Sequence, residues 1–206
     1  LQLKASKINE SIKLKFLLKI NMRFIFLLFI IFFFVSCQDE ILIKPKAQLS
    51  LSYPLANYEE LHLDFPYNFQ KNKEAVLKEK KNNGLNLYYP AMKATLYLTY
   101  QKVGKNNLDS LLRDAQKLAY DHAIKAESIS EQPFVNKDKG VYGMFYMING
   151  NAAAQAEFYA TDSVQHFING ALYFDAKPNF DSIYPAVMYL RNDMRIIMET
   201  LAWKTK

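Results

Sequence analysis

The side chains that most often perform chemistry are few in this chain and stand far apart. Of the 206 residues, three are histidines, namely His62, His122 and His166, and one is a cysteine, Cys37. A metal site needs several such ligands at short spacing, and common enzymes carry glycine-rich phosphate loops, nucleophile elbows or paired cysteines, none of which this sequence contains. We therefore predict no catalytic residue, no metal site and no cofactor.

The histidines also have plainer structural interpretations. His122 falls among the apolar positions of a predicted helix, where a histidine without a second ligand nearby is more often buried and hydrogen-bonded than a metal ligand or a base. Asp162 and Ser163 lie just before His166, but "TDS" is a far better turn than a fragment of a catalytic triad. An enzyme would require one of the histidines to meet a carboxylate in a cleft.

Cys37 directly follows the most apolar run of the chain. This run extends from Phe24 to Val35, well short of the roughly 20 residues that a bilayer-spanning helix needs. Basic residues precede the run and the small Ser36 follows it, as in a cleavable export signal. We therefore predict cleavage after Ser36, which makes Cys37 the first residue of the mature chain.

The end of this segment, "FVSC", resembles a bacterial lipoprotein signal, in which the cysteine after the cleavage site is acylated. The resemblance implies lipid attachment at Cys37, and several acyl chains anchor a protein stably where a single chain binds only marginally. The predicted organisation is an upstream extension outside the fold, a signal peptide, a lipidated tether and a single globular domain, over residues 1–21, 22–36, 37–47 and 48–206.

Removal of residues 1–36 takes away most of the positive charge. The whole chain has 26 Lys and Arg against 20 Asp and Glu, a formal charge of +6. The removed segment contains six of these basic residues and a single acid, Glu10, which leaves 20 basic against 19 acidic side chains. Because the mature chain is nearly neutral, we expect no nucleic-acid partner.

Short antiparallel strands are predicted in the first half of the domain, where apolar and polar residues alternate. They cover residues 47–53, 67–70, 85–89 and 92–100. The last two are expected to pair, with Met92, Ala94, Leu96 and Leu98 on one face and Thr95, Tyr97 and Thr99 on the other. The charged stretch over residues 71–84 is predicted to be a solvated loop.

Two amphipathic helices are predicted over residues 108–129 and 181–203, because apolar residues recur there every three or four positions. Three strands are expected between them, with a hairpin turn at Asn149 and Gly150 and one long strand bulged at Gly170. This order predicts an α+β fold in which an antiparallel sheet packs with two main helices. The order is similar to the Mog1/PsbP-like sandwich, an analogy of fold that says little about function.

Tyrosines crowd the predicted hairpin. Tyr97 is expected to face away from the core, and Tyr88 and Tyr89 lie on the neighbouring strand. Exposed tyrosines are common at protein interfaces, whereas a second layer over this face would make the same residues part of the core, and alternation alone does not decide between the two. We take Tyr88, Tyr89, Tyr97 and His122 as the candidate interaction residues.

Several long blocks of sequence carry a family resemblance. They are "KATLYLTY", "LAYDHAIKAESI", "VYGMFYMINGNAAAQAEFYATDS", "HFINGALYFDAKPNFDSIYPAV" and "ETLAWK". In order and spacing, and together with the cysteine and the "KPK" that follows it, they resemble the gliding-motility lipoprotein GldD family of Bacteroidetes-type bacteria. The resemblance covers most of the mature chain.

This resemblance implies an envelope lipoprotein that is needed for gliding and tied to type IX secretion, and it implies no enzyme. The expected partners are the membrane, through N-terminal acyl chains such as palmitate, and other envelope proteins of the gliding and secretion machinery, with no small-molecule substrate. The expected location is the outer membrane, facing the periplasm. The alternative is a periplasmic lipoprotein that carries a small apolar ligand or lipid, which requires a sizeable apolar cavity.

Overall fold

The computed structural model of the protein describes residues 53–61, 63–79, 84–177 and 179–204. The strands in this part of the chain are β1 (Tyr58–Glu60), β2 (Tyr67–Asn68), β3 (Gln70–Asn72), β4 (Val76–Glu79), β5 (Leu85–Tyr89), β6 (Ala94–Lys102), β7 (Ala126–Asn136), β8 (Val141–Gly150), β9 (Ala154–Thr161), β10 (His166–Phe174) and β11 (Ala202–Trp203). The α-helices are α1 (Leu108–Tyr120) and α2 (Phe180–Thr200). His62, Cys37 and the predicted strand over residues 47–53, apart from its last residue, lie outside the described residues.

Seven strands form one antiparallel sheet in the order β4-β5-β6-β10-β9-β8-β7. Two smaller pairs, β1 with β3 and β2 with β11, complete the strand pairing of the described chain. Every pair is antiparallel. The predicted α+β fold is therefore confirmed.

The two helices cover opposite faces of the sheet. Helix α2 belongs to the large core that includes Phe158 and Ile168, whereas α1 packs in a smaller cluster with Tyr159 and Phe167. Phe158 and Tyr159 are successive residues of β9, and successive side chains of a strand point to opposite faces. Both faces of the sheet are thus partly covered, although α1 covers only one end of its face.

The pairing of β5 with β6 confirms the predicted hairpin. Leu87 lies opposite Leu96, and Leu85 lies opposite Leu98. All four side chains are fully or almost fully buried in the large core to which α2 also belongs. Burial of a leucine side chain contributes about 1.5–3 kcal/mol, so the alternating pattern of these strands fixes which face receives the larger helix.

The structure corrects the predictions for residues 71–84 and 108–129. The predicted solvated loop over residues 71–84 contains the end of β3 and all of β4, which pairs with β5. The predicted helix over residues 108–129 ends at Tyr120, because backbone N–H groups of Ala123 and Ala126 bond to Tyr120 and His122 in a turn. Ala126 and Ile129 continue the helical spacing of apolar residues, but they belong to β7, where pairing with β8 decides the backbone conformation.

The later strands follow the predicted order with one more strand than expected, since β7 precedes the three that were predicted. Asn149 and Gly150 end β8, and Gly150 has a φ of 100° at the start of the hairpin to β9. The segment over residues 166–174 is one strand, as predicted, but its irregularity lies between Leu172 and Tyr173 and not at Gly170. Gly170 instead lets β10 approach its neighbours, since a Cβ there would lie 2.3 Å from the Phe158 ring.

Helix α2 ends earlier than predicted, and Trp203 lies in β11, where it pairs with Tyr67 of β2. The helix nevertheless provides the continuous apolar stripe that its spacing predicted, through Leu190, Met194 and Ile197. Neither α1 nor α2, the α-helices of the described chain, is long and apolar enough to cross a membrane.

Candidate interaction surface

Three tyrosines are neighbours on the sheet face that α1 covers only at one end. Tyr88 and Tyr173 both lie opposite Thr95, on either side of β6, and Tyr97 is two residues further along that strand. The rings of Tyr97 and Tyr173 are 5.7 Å apart in an edge-to-face arrangement. We name the surface formed by Tyr88, Tyr97 and Tyr173 the tyrosine face.

The tyrosine face is partly open to solvent. All three of its side chains have intermediate exposure, because α1 packs further along the strands, against Phe167 and Tyr159. The Lys78 ammonium lies 5.3 Å from the centre of the Tyr88 ring, within range of a cation–π interaction. Tyrosines that are half-buried combine apolar contact area with a polar tip, which is the combination common at protein interfaces.

His122 adjoins this surface, although it lies in the turn after α1 and not on the helix itself. Its ring centre is 6.3 Å from that of Tyr173, and its Nε2 atom is 3.1 Å from Oε1 of Glu157 on β9. The Glu157 side chain is only 4% exposed, whereas that of His122 is 14% exposed. His122 therefore links the end of α1 to the sheet through a largely buried hydrogen bond.

Burial acts on both members of this pair. It raises the pKa of Glu157 to about 8, with a further rise from the nearby Asp121 carboxylate. Burial also lowers the pKa of His122, against an opposing effect of Asp121. Burial disfavours the charged form of each group, so both shifts favour a neutral pair joined by this hydrogen bond.

Tyr89 does not share the surface with the other predicted residues. It alternates with Tyr88 along β5 and points to the α2 side, where it is 2% exposed. Burial and the neighbouring Asp193 carboxylate raise the pKa of its hydroxyl, which makes no hydrogen bond of good geometry within the described chain. A partner cannot contact the Tyr89 side chain on this fold.

Asp193 is the centre of a buried polar cluster that the sequence did not reveal. Its carboxylate accepts hydrogen bonds from the Tyr58 hydroxyl at 2.7 Å and the Asn72 amide at 2.8 Å. Burial raises the pKa of Asp193, although these hydrogen bonds oppose the rise. Tyr58 lies on β1 and Asn72 on β3, each more than 100 residues before Asp193 on α2. No local spacing could therefore have signalled the cluster.

His166 begins β10 and lies at the end of that strand opposite Tyr173. Its Nδ1 atom is 2.9 Å from the Tyr100 hydroxyl, and its ring stacks on Trp203 with centres 5.1 Å apart. Oδ1 of Asp162 accepts hydrogen bonds from three backbone N–H groups, those of Val164, Gln165 and His166. The prediction that "TDS" is a turn is confirmed, because this carboxylate caps the turn.

The described side chains contain no group of three potential metal ligands. His122 does meet a carboxylate, which is the arrangement that an enzyme would have required, but Glu157 is almost completely buried. Its carboxyl group is therefore bonded within the fold and out of reach of a bound substrate. The pair is a hydrogen bond within the fold, beside the tyrosine face.

Comparison with known protein families shows to which family this chain belongs. The family described as gliding motility lipoprotein GldD matches residues 38–203 of the chain. The chain belongs to the GldD family. No curated protein matches it.

Membership of the GldD family makes this a membrane-anchored envelope protein of gliding motility, and the family is not one of known enzymes. The match extends over every strand and helix of the described domain. Within this GldD domain, three of the four residues singled out in the sequence, Tyr88, Tyr97 and His122, lie on one face. No local pattern pointed to Tyr173 or Glu157, which join these residues only through strand pairing.

Proposed function

We propose that this protein is an acylated lipoprotein that supports gliding motility and type IX protein secretion by binding other components of that machinery. Cys37 carries the lipid, and the domain from residue 48 onwards carries the binding surface. The anchor keeps the domain close to the membrane, which raises its effective concentration near other envelope components. The proposed location is the outer membrane, with the domain facing the periplasm.

Two observations support the anchor. Cys37 follows an apolar run of the length of an export signal, and the family match begins at the next residue, 38. The tether over residues 37–47 spans at most about 35 Å when fully extended. A domain on such a tether meets only partners that themselves lie at the membrane.

The observation that carries the binding role is the partial exposure of the tyrosine face. Tyr88, Tyr97 and Tyr173 lie on three neighbouring strands, β5, β6 and β10, on a part of this face that α1 leaves partly open. Rigid aromatic side chains lose little conformational entropy on binding, and tyrosines are enriched among residues that dominate interface energetics. The His122–Glu157 pair holds the turn after α1 beside the tyrosine face, so the surface is preorganised.

The test is a deletion of the gene in its native host, scored by mass spectrometry of the culture medium and by colony spreading. We expect many secreted proteins to be lost together, with rescue by the wild-type gene but not by Cys37→Ala. The Cys37→Ala protein should appear in the soluble periplasmic fraction. An unchanged set of secreted proteins in the deletion strain would refute the role in secretion, and membrane retention of Cys37→Ala would refute the anchor.

A further inference from the structure

Strand β7 is a long edge strand with an unpaired side. It runs over 11 residues, pairs with β8 along one side, and is the last strand of the sheet. Most of its side chains are exposed, and the residues from Ser128 onwards make no backbone hydrogen bond on the other side within the described chain. The unpaired N–H and C=O groups of such an edge are a template for another extended segment.

Two surface depressions flank this strand, one on each face of the sheet. The first has a volume of about 260 Å³ and lies on the α1 side, lined by Tyr120, Ala123, Ala126, Glu127, Ser128 and Ile129. The second, of about 60 Å³, lies on the α2 side between Phe134 and residues of α2 that include Arg195 and Met198. Each depression therefore adjoins the free edge near a different end of β7.

The positions of the depressions match the geometry of an added strand. Ile129 points to the α1 side and Phe134 to the α2 side. They are five positions apart, about 17 Å along a strand. In a strand added to β7, the residues opposite Ile129 and Phe134 also point to opposite faces, one toward each depression. This is the arrangement of strand addition, in which backbone bonds provide affinity and alternate side chains in pockets provide specificity.

Charge identifies the kind of segment that fits. β7 carries two carboxylates, Glu127 and Glu131, and no Lys or Arg. The Tyr120 hydroxyl donates to Glu131 at 2.6 Å and holds this carboxylate beside the first depression. Two copies of β7 would bring only like charges together, so self-pairing is disfavoured. A segment with a basic residue near the two carboxylates has the complementary charge.

We propose that β7 is the docking site for an extended segment of another protein that pairs antiparallel with it, carrying Lys or Arg opposite Ile129 and an apolar residue opposite Phe134. The antiparallel direction continues the pattern of the whole sheet and is the more stable pairing per residue. In the added segment the apolar residue precedes the basic one by five positions. This site is separate from the tyrosine face and does not depend on the anchor.

The proposal is tested with labelled peptides and the full chain, purified from membranes in mild detergent. The probe is an 11-residue peptide, the length of β7, with Val at its third position, Lys at its eighth and Thr elsewhere. One matched peptide has Glu in place of Lys, and another has N-methyl groups on alternate residues, which remove backbone donors. Binding is measured by fluorescence anisotropy, and amide exchange of the protein by mass spectrometry.

We expect the Lys peptide to bind at least tenfold more tightly than the Glu peptide, the N-methylated peptide not to bind, and amide exchange to slow in β7. Glu127→Lys should reverse the preference between the charged peptides, whereas Asp114→Lys, an exposed change on α1, should leave it unaltered. The peptide comparison uses the wild-type chain, so it remains decisive if Glu127→Lys fails to fold.

Equal binding of the Lys and Glu peptides, or exchange in β7 that does not respond to peptide, would overturn the proposal. If a second copy of this chain occupied the edge of β7, the sedimentation and the amide exchange would differ. The protein alone would sediment as a dimer or larger assembly with β7 amides already protected, and peptide would not dissociate it. That result would also overturn the assignment to another protein.

Discussion

Nε2 of His122 lies 3.1 Å from Oε1 of Glu157, which joins the turn after α1 to the middle of β9. Tyr173 packs edge-on against the His122 ring and edge-on against Tyr97 in turn. A buried polar pair thus supports the surface that we propose for binding. Hydrogen-bonded support of this kind fixes the rotamers of the residues in front of it.

Stability should depend on pH through Glu157. Burial raises the pKa of Glu157 from 4.5 to about 8 in the folded protein. Between these values the folded state binds more protons than the unfolded state, so the free energy of unfolding falls as pH rises. Relative to Glu157→Gln, we expect the wild type to lose on the order of 2 kcal/mol between about pH 5 and pH 8.

Urea unfolding of both proteins at the two pH values measures this difference. The comparison removes most of the opposing contribution of His122, whose lowered pKa favours the folded state as pH rises toward 6.5. Asp121→Asn is a second test. Because the Asp121 carboxylate helps to raise the pKa of Glu157, this variant should reduce the pH dependence. A pH dependence identical in wild type and Glu157→Gln would show that this carboxyl is not perturbed.

The buried cluster around Asp193 should be important for stability. Asp193→Ala removes the acceptor of the Tyr58 hydroxyl and one of the two acceptors of the Asn72 amide, which also donates to the Tyr189 hydroxyl. We expect a loss of about 2–4 kcal/mol in the free energy of unfolding. Glu199→Ala, an exposed change on the same helix, should change it by less than about 0.5 kcal/mol. Denaturant titration distinguishes the two variants, and equal losses would contradict the assignment.

Gly170 should not tolerate a side chain. A Cβ at this position would lie 2.3 Å from the Phe158 ring and 2.8 Å from the Leu98 side chain, so both core residues must move. We expect Gly170→Ala to lower the free energy of unfolding by about 1–3 kcal/mol, as overpacking of a core does. Gly104→Ala is the control, because the nearest atom to its Cβ is 3.7 Å away. A thermal melt of Gly170→Ala that matches the wild type would contradict the close approach.

The tyrosine face should contribute to partner binding without being needed for folding. We expect Tyr97→Ala to retain the near-ultraviolet circular dichroism of a folded domain but to reduce partner affinity at least tenfold, as central aromatic residues of interfaces do. Cross-linking in the native membrane, followed by mass spectrometry, measures the partners retained. Tyr184→Ala is matched in residue type, with 37% exposure on α2. If Tyr184→Ala lost the partners and Tyr97→Ala retained them, the tyrosine face would not be the docking surface.

The local sequence pattern was sufficient to predict a strand or helix where one face of that element carries most of the apolar residues. The alternation of Leu85 and Leu87 with polar or aromatic residues predicted β5, and the spacing of Leu190, Met194 and Ile197 predicted α2. These predictions succeeded because burial of a one-sided element is determined by its own sequence. The family resemblance likewise depended on blocks of sequence alone, and the match over residues 38–203 confirms it.

Strand pairing decided the elements that local pattern did not predict. Val76–Glu79 is charged and short, and it becomes a strand only because β5 offers an edge with which to pair. Ala126 and Ile129 fit a helical spacing, yet they belong to β7 because this segment pairs with β8. A short segment whose apolar spacing fits both a helix and a strand takes the conformation in which its backbone can bond to adjacent elements. Its own residues do not specify which elements will be adjacent.

The sequence by itself determined that Tyr88 and Tyr89 point to opposite sides of one strand, because side chains alternate along any strand. Only the tertiary structure decided which of the two is accessible. Helix α2 and the Asp193 cluster bury Tyr89, whereas the short α1 leaves Tyr88 and Tyr97 partly open and the strand register brings Tyr173 beside them. The binding surface therefore exists through contacts between residues far apart in the chain, which alternation within one strand cannot specify.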